Sequence, residues 1–236
     1  MKYMGSKKRI AKYILPILLN ARHENQWVVE PFVGGANLTE MVTGNRIGSD
    51  VNEYLIEALK LIRDNYHLLP QKDTNGKEMI YNLMKTFSPV SSIGKGMKGY
   101  YGFALSYGGK WFGGWRRDST GKRDYVNEAY RSVVAQSPKI NNVELICSDF
   151  RNLNIPSNSI IYCDPPYKNT TKYSKNFPHD DFYVWCRNKS NDGHTVFVSE
   201  YNMPKDFVGV WEMEIKSSLT KNTGGKIGIE RLFVLK

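Results

Sequence analysis

The stretch Ser159-Ile160-Ile161-Tyr162-Cys163-Asp164-Pro165-Pro166-Tyr167 joins an apolar run to an abrupt stop. A β-branched and aromatic run of this length predicts a buried strand. Two consecutive prolines have no N–H to donate, so the strand ends there. The sequence therefore sets a carboxylate, proline-fixed backbone carbonyls and a phenol ring at the carboxyl end of a strand, where open α/β sheets bind ligands. Asp164 and the carbonyl of Pro165 are two acceptors with no donor between them, which suits an exocyclic amino group. Tyr167 offers a face to a flat ring. Together they describe a pocket for the amino edge of a nucleobase.

The flanking sequence predicts the rest of a doubly wound α/β sheet. Lys7 to Leu19 carries Ile10, Ile14, Leu15, Leu18 and Leu19 at helical spacing. Residues 27–30 read as a first strand, Pro31 to Gly35 as a turn, and Ala36 to Val42 as a short helix. Arg46 to Asp50 reads as a second strand, followed by a helix from Asn52 to Asp64 with Leu55, Ala58, Leu59 and Ile62 inward. Strand patterns resume at 143–147 and 195–199, with a helix over 180–188 between the last two strands. The run 227–235 closes the sheet, with 211–215 as its hairpin partner. In the turn Glu30-Pro31-Phe32-Val33-Gly34-Gly35, the glycines let backbone approach a ligand closely, although tight turns without ligands look similar. Asp50 follows Glu30 by twenty residues, the spacing that puts a carboxylate on ribose hydroxyls in this fold. No Walker lysine follows, so a nucleoside cofactor without a pyrophosphate fits better than a dinucleotide.

Between Tyr66 and Ser137 the βαβ pattern breaks. Gly94, Gly96, Gly99, Gly102, Gly108, Gly109, Gly113 and Gly114 are interleaved with Tyr100, Tyr101, Phe103, Tyr107, Trp111, Phe112 and Trp115. The stretch is too aromatic for a linker and too glycine-rich for a long helix, and predicts an inserted subdomain with exposed loops. Its charge is lopsided. Lys95, Lys98, Lys110, Arg116, Arg117, Lys122 and Arg123 stand against Asp118 and Asp124, which is half of the chain's net +10. Basic residues neutralise phosphates while aromatic rings stack on bases or wedge between them, so these lysines and arginines and Trp111 are candidate nucleic-acid contacts. The alternatives are a solvated basic surface and aromatic residues that form the insertion's own small core.

Other classes are disfavoured. Three cysteines without CxxC spacing argue against a disulfide framework or a zinc site, and Cys147 and Cys163 read as small core residues. The four histidines show no ligand spacing, and Asp180-Asp181 reads as helix N-terminal charge, so no metal is expected. There is no GxSxG nucleophile. Neither an apolar run near ~18 residues nor a signal peptide is evident, so a cytoplasmic protein without a membrane partner is expected.

With these pieces in order, the chain resembles a Dam-type DNA adenine-N6 methyltransferase. Tyr3-Met4-Gly5-Ser6-Lys7 is similar to that family's N-terminal motif, in which an aromatic residue and a lysine line the cofactor site. Glu30 to Gly35 resembles its glycine motif, Asp50 its ribose-binding acid, and Ile161 to Tyr167 its catalytic motif. Asp149-Phe150 resembles the position that meets the cofactor adenine, and Asn222-Thr223-Gly224-Gly225 leading to Glu230 resembles its closing segment. The glycine motif departs from the common Gly-x-Gly, and the middle of the chain does not match the region that reads GATC.

The resemblance implies a Rossmann-like methyltransferase sheet, residues 1–65 and 138–236, that binds S-adenosyl-L-methionine. It also implies an inserted, mainly helical target-recognition subdomain, residues 66–137. The implied activity is methylation of adenine N6 in double-stranded DNA after base flipping, with Asp164, Pro165, Pro166 and Tyr167 catalytic. Cytosine N4 presents a similar amino edge and stays open. RNA and protein-glutamine methyltransferases more often carry Asn where this chain has Asp164, and the intact tetrapeptide argues against a non-catalytic DNA-binding module. A monomer suits an enzyme that modifies one strand per encounter, and a cognate restriction endonuclease is the further partner considered.

Overall fold

A computed structural model of the chain describes residues 1–20, 22–74, 76–168, 177–216 and 227–235. Among these, seven strands build one sheet: β1 (Val28–Glu30), β2 (Arg46–Asp50), β3 (Val143–Cys147), β4 (Ile160–Cys163), β5 (Thr195–Glu200), β6 (Phe207–Lys216) and β7 (Ile227–Leu235). Their order is β3-β2-β1-β4-β5-β7-β6. The first five run parallel. β7 pairs antiparallel with both β5 and β6, which is the expected closing hairpin. From β1 the chain winds outward through β2 to β3, then crosses to β4 on the other side of β1. The order thus reverses between β1 and β4, and the crevice at such a switch point lies beyond the strands' carboxyl ends. Glu30 ends β1 and Asp164 follows β4.

The helices are α1 (Ala11–Leu19), α2 (Glu53–Asn65), α3 (Lys77–Thr86), α4 (Ser92–Phe103), α5 (Tyr125–Gln136) and α6 (His179–Asn191). β4 is apolar throughout because both its faces are covered. Ile160 and Tyr162 pack with Ile14 and Leu18 of α1, while Ile161 and Cys163 pack with Phe182 and Cys186 of α6. All four inward positions expected of α2 are buried. Its start is fixed by Asn52, whose side-chain oxygen accepts from the Leu55 amide at 3.2 Å.

Several expectations need correction. Ala36 to Val42 is not an α-helix. Ala36 sits at φ +54°, which cannot open one, and only a 3-10 turn forms, at Thr39–Met41. The glycine-rich stretch does contain a helix, α4, with Gly94, Gly96, Gly99 and Gly102 inside it. The reason is packing against α2. A Cβ on Gly99 would lie 1.9 Å from the carbonyl oxygen of Tyr54, and one on Gly96 would lie 2.6 Å from that of Glu57. Glycine there lets two backbones approach closely, and this contact overrides helix propensity.

The aromatic residues of the middle segment do not form a core of their own. Tyr81, Tyr100, Tyr101, Phe103 and Phe112 share one cluster with Leu55, Leu59 and Ile62 of α2 and with Val143 and Leu145 of β3. Cys163 is buried, but Cys147 is exposed because β3 is the sheet's edge. The predicted segment Asn222-Thr223-Gly224-Gly225 lies outside the described residues.

Candidate active site

A cavity of about 750 Å³ opens over the carboxyl ends of β1, β2 and β4. One end is built by Glu30 to Gly35, Asp50 and the 3-10 turn after β3. Gly34 adopts φ +50°, and a Cβ there would touch the Tyr3 ring at 3.0 Å. A Cβ on Gly35 would fall 2.6 Å from Nδ2 of Asn37 and 2.7 Å from the carbonyl of Met1. The loop thus lies flat against the N-terminal arm. Tyr3 packs on Phe103 with ring centroids 5.2 Å apart, and the Met4 amide donates to the Gly109 carbonyl at 3.1 Å.

Asp50 accepts from the Asn52 amide at 3.0 Å. Burial nonetheless pushes its carboxyl up to about 6, against the opposing bonds from backbone amides. Phe32 and Phe150 lie 5.5 Å apart, each within 5.8 Å of Phe177, and these rings make an apolar wall. Asp149 accepts from the Arg151 amide and pairs with its guanidinium at 2.9 Å, which holds the carboxyl below the usual range.

At the other end stand Asp164, Pro165, Pro166 and Tyr167. The Asp164 side chain keeps 21% of its exposure, directed into the cavity. Burial raises its carboxyl to about 6, while the nearby Lys7 ammonium works in the opposite direction. Lys7 lies 3.3 Å from Oδ1 of Asp164 and 3.1 Å from Oε2 of Glu230, and it donates to the hydroxyl of Tyr167. Burial alone would lower the Lys7 ammonium, but Asp164 and Glu230 outweigh it and its pKa is raised. The Tyr167 hydroxyl donates to Glu230 Oε2 at 2.6 Å, and its ring meets that of Tyr201 edge-on at 4.8 Å. Glu200, at the end of β5, accepts from the amides of Lys168 (3.1 Å) and Tyr201 (2.8 Å), tying the loops after β4 and β5 together.

Glu30, beside the Thr39 hydroxyl that donates to it, is pushed by burial up to about 8. The cavity is thus lined by carboxyls whose burial favours their neutral form until a cation or hydrogen-bond donor arrives. It is an acidic cleft with an apolar wall.

The structure brings Tyr3, Lys7, Glu30, Phe32, Gly34, Gly35, Asp50, Asp149, Phe150 and Asp164 to Tyr167 onto this one cavity, with Lys110 and Trp111 also lining it and the Trp111 ring packed on Tyr54 and Phe103. The resemblance sets Lys7 among the cofactor residues, yet its side chain meets Asp164 and Tyr167. The remaining basic residues lie elsewhere. Lys95 pairs with Glu53, Arg117 with Glu78, and Arg123 with Glu128. Arg116 stacks over Tyr125 at 4.2 Å. Arg117, Lys122 and Arg123 are exposed.

Lys98 is a correction. It is buried, and its ammonium donates to the carbonyls of Phe87 and Lys85 at the end of α3, so it cannot contact DNA. A long stem and a charge-compatible helix C-terminus make such burial possible. Sequence reading gave no role to Glu200, Tyr201 or the Glu230 side chain. Glu200-Tyr201 at the end of a buried strand was the available signal.

Comparison with known proteins gives one family and one relative. The family described as D12 class N6 adenine-specific DNA methyltransferase matches residues 3–101. The Type II methyltransferase M.FokI of Planomicrobium okeanokoites is 23% identical over 215 residues, which cover 79% of this chain and 31% of that relative. The chain therefore spans about a third of the length of the curated relative it matches. The matched residues contain the N-terminal arm, the glycine loop and Asp50. Over residues 3–101, the chain is similar to the D12 class N6 adenine-specific DNA methyltransferases.

Proposed function

We propose that the protein transfers a methyl group from S-adenosyl-L-methionine to the exocyclic N6 of adenine in duplex DNA. The observation that carries this reading is the placement of Asp164 and Pro165 in the same cavity as Asp50 and the glycine loop. An amino-group acceptor and a nucleoside site thereby share one enclosure. The residues fit the cofactor. The flat glycine loop leaves room that a Cβ would fill, Asp50 offers a carboxylate to a ribose diol, and Phe32 and Phe150 offer an apolar wall to adenine. An acidic cleft also suits a sulfonium cation. When bound, the cofactor supplies an electrophilic methyl carbon.

The chain's own residues address the acceptor. The N6 lone pair is delocalised into the adenine ring, so the amine is a poor nucleophile. Asp164 and the Pro165 carbonyl accept its two hydrogens and orient the lone pair toward the methyl carbon. Ionised Asp164 stabilises the positive charge that develops on nitrogen and stands ready to take the proton that nitrogen then loses. A stacked base cannot reach Asp164 inside a duplex, so the target must leave the helix at a cost of a few kcal/mol. Lys110 and Trp111 of the cavity lining, with exposed Arg117, Lys122 and Arg123, are the surface we assign to the DNA, and residues 66–137 the segment that reads its sequence. Incubation with labelled cofactor and DNA tests the reading. Label should enter DNA with the native chain and not with Asp164→Ala, whereas transfer by Asp164→Ala would exclude the assigned role.

A further inference from the structure

Glu230 of β7 meets the arm and the loop after β4 at one point. The Lys7 ammonium has three N–H bonds to give, and three groups surround it: Asp164, Glu230 and the Tyr167 hydroxyl. The shorter of its two ion contacts goes to Glu230, at 3.1 Å against 3.3 Å. The Tyr167 hydroxyl, itself beside Asp164, also donates to Glu230. Were Lys7 to pair with Asp164 alone, it would occupy lone pairs of that carboxylate and drain its charge.

We infer that Glu230 is a positioning residue: it shares Lys7 with Asp164 and pins the Tyr167 hydroxyl, so that Asp164 remains a strong acceptor directed at the substrate amino group. The last clause rests on the methyl-transfer reading, while the division of Lys7 does not. Among the described residues, the groups that face Asp164 are Lys7 from the arm, Glu30 from β1, Tyr162 and Tyr167 around β4, Glu200 and Tyr201 from the end of β5, and Glu230 from β7. Among the described residues, Lys7 is the one cation in this set. Removing the negative charge of Glu230 therefore leaves Lys7 to Asp164, and the Asp164 carboxyl must titrate at lower pH.

The test is a carbon-13 NMR titration of aspartate-labelled protein, with the Asp164 signal assigned by Asp164→Asn, beside single-turnover methyl transfer. In Glu230→Gln the Asp164 titration should move to lower pH, the rate of transfer should fall roughly 10-fold or more, and DNA affinity should stay near that of the native chain. Glu230→Asp keeps the charge and withdraws it by one methylene. It should keep the Asp164 titration near that of the native chain and give an intermediate rate, and it carries the test if Glu230→Gln fails to fold. An Asp164 titration unmoved by Glu230→Gln, or a native rate in either variant, would overturn the inference. A native chain that transfers no methyl group, with the titration shift intact, would remove the methyl-transfer reading and leave the division of Lys7 standing.

Discussion

Lys7 Nζ and Asp164 Oδ1 lie 3.3 Å apart although 157 positions separate them in the chain. The contact is made because the N-terminal arm crosses the carboxyl ends of β1 and β4. It leaves Asp164 close to neutrality in its titration, pushed up to about 6 by burial with Lys7 acting against the shift. Protonated Asp164 is a poor acceptor, so methyl transfer should fall as pH drops through about 6. Lys7→Met removes the cation and should move that acid limb to higher pH. A pH–rate profile of both chains checks this, and an unmoved limb in Lys7→Met would exclude the coupling.

Cofactor affinity should share this dependence for a different reason. In the proposed reading, ionised Asp50 is the stronger acceptor for the ribose hydroxyls, and burial has raised Asp50 to about 6. Affinity measured by calorimetry should therefore weaken below pH 6. Asp50→Asn should weaken binding roughly 10-fold or more at pH 7.5 and flatten the pH dependence. Equal affinity in the two chains would remove Asp50 from the cofactor site.

Glu30 predicts the sign of a stability effect. Its carboxyl is pushed by burial from the ordinary value near 4.5 up to about 8. Between these values the folded chain holds a proton that the unfolded chain has released. Its contribution is therefore present at low pH and is lost as pH rises toward 8. Glu30→Gln, which cannot ionise, should lessen the fall in unfolding free energy between pH 5 and pH 8 by an amount on the order of a few kcal/mol, and so raise Tm at the alkaline end. Identical pH–stability curves for the two chains would contradict this.

Lys98 separates structural from DNA-facing charge. Its ammonium serves the carbonyls at the end of α3, so Lys98→Met should cost about 1–3 kcal/mol of stability, read from denaturant unfolding. The slope of log Kd against log salt should not change. By contrast, Arg117, Lys122 and Arg123 changed together to Ala should flatten that slope at little cost in stability. A flattened slope in Lys98→Met would overturn its structural role.

The parallel strands and α2 were legible in sequence because short apolar runs and helical spacing report burial directly, as Ile160 to Cys163 and Leu55 to Ile62 do. The helix at Ser92–Phe103 was not legible. Glycine propensity argues against it, and the compensating approach to the carbonyls of Glu57 and Tyr54 is a tertiary fact. Burial of Lys98 has the same origin. In the site, Asp164 and Asp50 announce themselves at strand ends. Glu230 does not, because its part depends on β7 returning beside β5 and bringing a carboxylate to a lysine more than 200 positions away.

The most direct test of the central claim is the identity of the methylated nucleoside. DNA incubated with the native chain and S-adenosyl-L-methionine, digested and examined by mass spectrometry, should contain N6-methyladenine, and the Asp164→Ala product should contain none. N4-methylcytosine in place of N6-methyladenine, or N6-methyladenine made equally by Asp164→Ala, would contradict the account.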